Sequence, residues 1–146
     1  MGPWNRVLVV DDEPAIRALV AKIVERAGYP VDTARDGADA IEKLENTAYA
    51  VIVLDLMMPN IDGYGLIRHL KEGPGPHPAI IVISAGESGA LRQLDGSMVH
   101  SIIRKPFDID VLGDLITATV KTMMEARQES AIHRVVPFPK REDKVC

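Results

Sequence analysis

The run Val51-Ile52-Val53-Leu54, ending on Asp55, is the strongest constraint on how this chain folds. Four apolar residues, three of them β-branched, lead without alternation into a carboxylate, and turn-forming residues follow through Pro59 and Gly63. An unbroken apolar run of this kind reads as a strand buried on both faces, as in a parallel sheet. Such a strand delivers Asp55 to its carboxyl end, the edge at which open α/β sheets bind ligands. A carboxylate carried there by a buried strand calls for a metal, a cationic partner or covalent chemistry.

Other apolar runs end in the same way. Arg6-Val7-Leu8-Val9-Val10 runs into Asp11-Asp12-Glu13, Ala79-Ile80-Ile81-Val82-Ile83 into Ser84-Ala85, and Ser101-Ile102-Ile103-Arg104 into Lys105-Pro106. Strands are therefore expected at 6–10, 50–54, 79–83 and 100–104, with a short edge strand from Val31 to Ala34 beside Pro30. Helical spacing falls between them. Glu13-Pro14 opens a helix through Ile16, Leu19, Val20, Ile23 and Val24 that stops at Gly28. Asp36-Gly37 turns into a second helix ending near Asn46, and a third covers about 64–71 with Leu66, Ile67 and Leu70 inward. The loop Gly73-Pro74-Gly75-Pro76-His77-Pro78 follows. A short helix through Ala90, Leu91 and Leu94 is expected within 86–99, and Asp108 caps a last one through Leu112, Ile116, Val120 and Met123. This alternation predicts an α/β three-layer sandwich: a five-stranded parallel sheet, five helices and right-handed crossovers. The order that sets Asp11, Asp12 and Asp55 side by side is the flavodoxin-like 2-1-3-4-5.

At 146 residues the chain suits one domain with a sizeable core. It is 47% hydrophobic but 4% aromatic, so Val, Ile, Leu, Ala and Met must fill that core. A formal charge of −4 offers no basic field for direct nucleic-acid binding. The one cysteine, Cys146, excludes an internal disulfide and suits a reducing, cytoplasmic compartment. No apolar segment approaches the roughly 18–20 residues of a membrane helix, and Trp4-Asn5 leads into the first strand without a signal-peptide pattern. His69, His77, His100 and His133 lack zinc-ligand spacing. The domain is expected over 5–127, and 128–146, with Pro137 and Pro139, reads as a flexible tail.

Asp11-Asp12, Asp55 with Met58-Pro59 and Gly63, Ser84-Ala85 and Lys105-Pro106-Phe107, in this order and spacing, resemble the receiver domain of two-component response regulators. The likeness is to the single-domain, chemotaxis-regulator kind. It implies that Asp55 is the phosphoacceptor and that Asp12, Asp55 and the Met57 backbone carbonyl bind Mg²⁺ directly, with Asp11 acting through water. It also implies that Ser84 and Lys105 each hold a phosphoryl oxygen and that the Lys105–Pro106 bond is cis. Carboxylates at strand ends, open to water, suit a hard cation that keeps several of its waters. A carboxylate can attack phosphorus to give an acyl phosphate, chiefly through positioning and charge neutralisation. Singly, each residue has a plainer reading: Asp11-Asp12 as an acidic helix start, Ser84 as a turn residue, Lys105 as a solvated lysine. Their joint place at matching strand ends favours the site.

The implied donor is a sensor histidine kinase or a histidine phosphotransfer protein, read on the first helix, where Ala15, Arg17, Ala18 and Lys22 are expected to be exposed. The implied output is a downstream protein target, with a dimer through the fourth helix, fifth strand and fifth helix as a further expectation. Most of the family has Tyr or Phe where this chain has Ile102, so the signal is expected to leave through ordering of 86–99. The tail is too short for an output domain, so the chain reads as a single-domain regulator or a receiver from a longer one. A haloacid-dehalogenase-type phosphatase would need an acid/base Asp two residues after Asp55, where Met57 stands. A phosphorylation-independent binding module would have lost one of the polar positions, and none is lost.

Overall fold

A computed structural model describes residues 4–56, 63–84 and 98–135, with side chains up to 128. The elements run β1 (Val7–Val10), α1 (Pro14–Arg26), β2 (Val31–Ala34), α2 (Gly37–Asn46), β3 (Val51–Asp55), α3 (Gly63–Glu72), β4 (Ala79–Ser84), β5 (Val99–Arg104) and α4 (Ile109–Val135). All strands are parallel, in the order β2-β1-β3-β4-β5. The expected helix through Ala90, Leu91 and Leu94 lies outside the described residues, which hold four of the five helices foreseen.

The two-residue period of the strands sorts their apolar side chains into two cores. Leu8, Val10, Ile52, Leu54, Ile80 and Val82 pack with Ala40 of α2 and Leu66, Ile67 and Leu70 of α3. Val7, Val9, Val51, Val53, Ile81 and Ile83 pack on the other face with Val20, Ile23 and Val24 of α1 and Leu112, Ile116 and Val120 of α4. The result is three layers, and it explains why the central strands carry no polar alternation. Edge strand β2 is only partly buried except at Ala34.

Helix ends follow local chemistry. Pro14 takes the first position of α1, where its missing N–H costs nothing. Gly28, at φ +96°, closes that helix: its amide donates to the Glu25 carbonyl and the Tyr29 amide to that of Val24. Asp36 caps α2 by accepting from the Asp39 amide, and Asp108 caps α4 by accepting from the amides of Asp110 and Val111. The last helix runs past residue 127, where the domain was expected to end. It continues to Val135, about 12 Å past Arg127. The apolar pattern fades there, but residues 128–135 contain neither Gly nor Pro, so nothing in the backbone stops the helix before Pro137. Arg127 itself lies over the Trp4 ring, 4.7 Å from its centre.

At the amino ends of the strands, the Tyr49 hydroxyl donates to Asp32 at 2.7 Å, and Arg6 donates to the same carboxylate at 3.2 Å. Burial, then the proximity of Asp32, holds the Tyr49 phenol protonated well above its ordinary range. The pole opposite the strand carboxyl ends is thereby tied together.

Candidate functional site

Register alone places the polar strand ends together. Val10 pairs with Leu54, so Asp11 stands beside Asp55; Asp55 pairs with Ile83, one step before Ser84; and Ser84 pairs with Arg104, one step before Lys105. Asp11, Asp55 and Ser84 are all buried, while Asp12 is exposed. Carboxylate oxygens of Asp11, Asp12 and Asp55 lie within 4.8 Å of one another. The Lys105 ammonium approaches this group, 3.6 Å from Asp55 Oδ2 and 3.8 Å from Asp11 Oδ2. Its amide donates to the Ser84 carbonyl at 2.9 Å, and the Lys105–Pro106 peptide is cis.

Three carboxylates against one ammonium leave the cluster negative. Burial raises the Asp11 carboxyl to about 6, the Glu13 amide partly offsets this, and the neighbouring Asp55 charge raises it further. A divalent cation would relieve that excess, and converging carboxylate oxygens with one exposed member suit a hard ion that retains water. The Met57 carbonyl lies outside the described residues.

Three contacts hold the loop between β1 and α1. The Asp11 amide donates to Ala34 O at 3.1 Å, the Glu13 amide to Asp11 Oδ1 at 2.9 Å, and Arg17 Nη1 to Asp11 O at 2.9 Å. Ala15, Ala18 and Lys22 are exposed as expected, but Arg17 is half-buried because its guanidinium turns back onto this loop. Sequence reasoning missed that role, since an arginine on a helix flank gives no signal of a backbone partner. Gly63 also belongs to the site's frame: its amide donates to Leu56 O at 3.0 Å, tying the start of α3 to the residue after Asp55.

Residues 7–117 match the family described as the response regulator receiver domain. Among curated proteins, the gliding motility regulatory protein of Myxococcus xanthus is 36% identical over 114 residues, covering 76% of this chain and 15% of that protein. The transcriptional regulatory protein ResD of Bacillus subtilis is 38% identical over 103 residues, covering 70% of this chain and 42% of that protein. The chain thus spans less than half the length of these relatives. Among solved structures, a CheY-like receiver domain protein from Methanospirillum hungatei aligns with a TM-score of 0.74 at 29% identity, covering 82% of this chain and 97% of that one. The receiver domain of a Francisella response regulator aligns with a TM-score of 0.73 at 30% identity, covering 83% and 98%.

Proposed function

The chain belongs to the response-regulator receiver family, and on that footing we propose that Asp55 accepts a phosphoryl group from the phosphohistidine of a sensor histidine kinase or phosphotransfer protein. The observation that carries this is Asp55 itself: a buried carboxylate on the central strand, with two further carboxylates within 4.8 Å and an ammonium at 3.6 Å. One Asp55 oxygen attacks phosphorus, the P–N bond to imidazole breaks, and an acyl phosphate remains. Asp11, Asp12, Asp55 and the Met57 carbonyl would hold Mg²⁺, which when bound supplies charge neutralisation for the phosphoryl oxygens. Lys105, already poised between Asp11 and Asp55, would turn its ammonium to another phosphoryl oxygen, and the Ser84 hydroxyl would donate to a third. The chain is a phosphoacceptor rather than an enzyme acting on a separate substrate. Acetyl phosphate with Mg²⁺, read by mass spectrometry, tests the reading: one phosphoryl adduct on Asp55 supports it, and an unmodified chain or an adduct elsewhere refutes it.

Output would pass by protein contact. Ile102 on β5 and Ile109 and Val111 at the start of α4 are 43%, 48% and 58% exposed, single apolar side chains that a protein target or a second copy could cover. Among the described residues no helix is long and apolar enough to cross a membrane; a cytoplasmic setting fits the single cysteine.

The acidic cluster sets a pH dependence. Asp11 takes up a proton as pH falls through about 6, so the site loses one negative charge and binds cations more weakly. Without metal, this raised value means that the folded state binds the proton more tightly than the unfolded one. The contribution of Asp11 to stability therefore declines as pH rises from 3.8 to about 6. The expected result is a Mg²⁺-induced rise in Tm that is clearly larger above pH 6 than below it, measured by thermal scans with and without the ion. Equal shifts on both sides would show that Asp11 does not control the site.

Lifetime of the acyl phosphate depends on an aligned water. In the receiver family the residues two after the acceptor and two after the hydroxyl residue bear on it, and here they are Met57 and Gly86. Neither side chain can hydrogen-bond that water. Met57→Asn/Gly86→Glu is expected to speed dephosphorylation, and one added hydrogen bond of about 1 kcal/mol corresponds to roughly a fivefold rate. Decay of the phosphorylated form measures it; an unchanged half-life would discount these positions.

A further inference from the structure

We infer that Arg17 is a positioning residue for the cation site and that it acts through Asp12. The inference rests on reading the Asp11, Asp12 and Asp55 cluster as a divalent-cation site. Asp11 is fixed in its own right: its amide is held by Ala34 and its carboxylate accepts from the Glu13 amide. Asp12 is in a different position. It is exposed, and no hydrogen bond among the described residues restrains its carboxylate.

What orients Asp12 is the peptide unit that precedes it. The Asp11 carbonyl and the Asp12 amide belong to one rigid plane, so fixing the oxygen fixes the direction in which the Asp12 Cα leaves. Arg17 Nη1 donates to that oxygen at 2.9 Å from the second turn of α1. The Arg17 amide is bonded to the Glu13 carbonyl at 2.9 Å, so the helix carrying the clamp is anchored on the far side of the same loop. Asp12 thus lies between two fixed points, and its carboxylate is presented within 4.8 Å of Asp11 and Asp55 oxygens at little entropic cost on binding.

A purely electrostatic role predicts the opposite sign. A guanidinium beside an acidic site repels a cation, so its removal would tighten binding if charge alone mattered. A positioning role predicts weaker binding on removal and recovery by any cationic side chain that reaches the carbonyl. Outer-shell groups of this kind typically change metal affinity by about tenfold or more.

The test is calorimetric titration of the intact chain with Mg²⁺, with no phosphoryl donor present. Arg17→Ala is expected to raise the dissociation constant about tenfold and Arg17→Lys to restore most of it. In an Asp12→Asn background, Arg17→Ala is expected to add little, because the residue it positions is gone. Unchanged or tighter binding in Arg17→Ala, or full additivity with Asp12→Asn, overturns the proposal while the cation site stands. A wild-type chain that binds no Mg²⁺ removes both. Phosphoryl uptake is not used as the readout, so a failure of Asp55 as acceptor is distinguishable from a failure of Arg17.

Discussion

Asp55→Asn is expected to abolish phosphoryl uptake while the folded state survives with equal or higher Tm. Asn keeps the volume of the side chain at this buried strand end, so the β3 register with β1 and β4 has no reason to change. It also removes one of the three clustered carboxylates. Asp11, which Asp55 helps to push up to about 6, then ionises more readily, and Lys105 keeps Asp11 as a partner at 3.8 Å. The chemistry does not survive, because an amide oxygen is a poor nucleophile toward phosphorus and carries no negative charge. Mass spectrometry after acetyl phosphate treatment reads the first effect and thermal unfolding without metal reads the second. A full adduct on the Asn variant would move the acceptor elsewhere. A large loss of Tm would mean that the Asp55 charge supports the fold, despite the two further carboxylates beside it.

The two halves of that expectation differ in how far the sequence reveals them. The sheet is legible because β1, β3 and β4 are buried on both faces and must be written as unbroken apolar runs. The polar terminators Asp11, Asp55 and Ser84 are legible for the same reason, since they break apolar runs abruptly, whereas Lys105 follows Arg104 on the half-exposed β5. Less visible is anything made by backbone groups. Arg17 bonds a carbonyl, which no residue identity marks, so the sequence does not set it apart from its exposed neighbours on α1. Tyr49, Asp32 and Arg6 meet across a wide sequence separation that hydrophobic patterning does not encode. The apolar pattern, which ends near Met123, does not mark how far α4 runs, and the helix continues to Val135.

Two glycine-to-alanine substitutions are expected to move stability in opposite directions. By propensity alone, both should help, since Gly in a helix costs up to about 1 kcal/mol relative to Ala. At Gly113, in α4, a methyl group would meet, among the described residues and beyond the helix's own backbone, only Ile23 Cγ2 at 3.5 Å, an ordinary contact. Gly113→Ala should therefore gain up to about 1 kcal/mol. At Gly63 the added carbon would lie 2.6 Å from the Leu56 Cα and 3.0 Å from the Asp55 carbonyl oxygen. Those are backbone atoms at the strand end that carries Asp55, and they cannot rotate aside as a side chain would. Overpacking of this kind costs about 1–3 kcal/mol, which outweighs the propensity gain. The relief available is to separate α3 from β3, which would lengthen the bond from the Gly63 amide to Leu56 O and shift Asp55 relative to Lys105. Gly63→Ala is thus expected to lower the urea midpoint and to slow phosphoryl uptake in whatever fraction remains folded, while Gly113→Ala raises the midpoint and leaves uptake unchanged. If Gly63→Ala proves as stable as wild type, the glycine is not there to let β3 and α3 meet, and its place in the site's frame is lost.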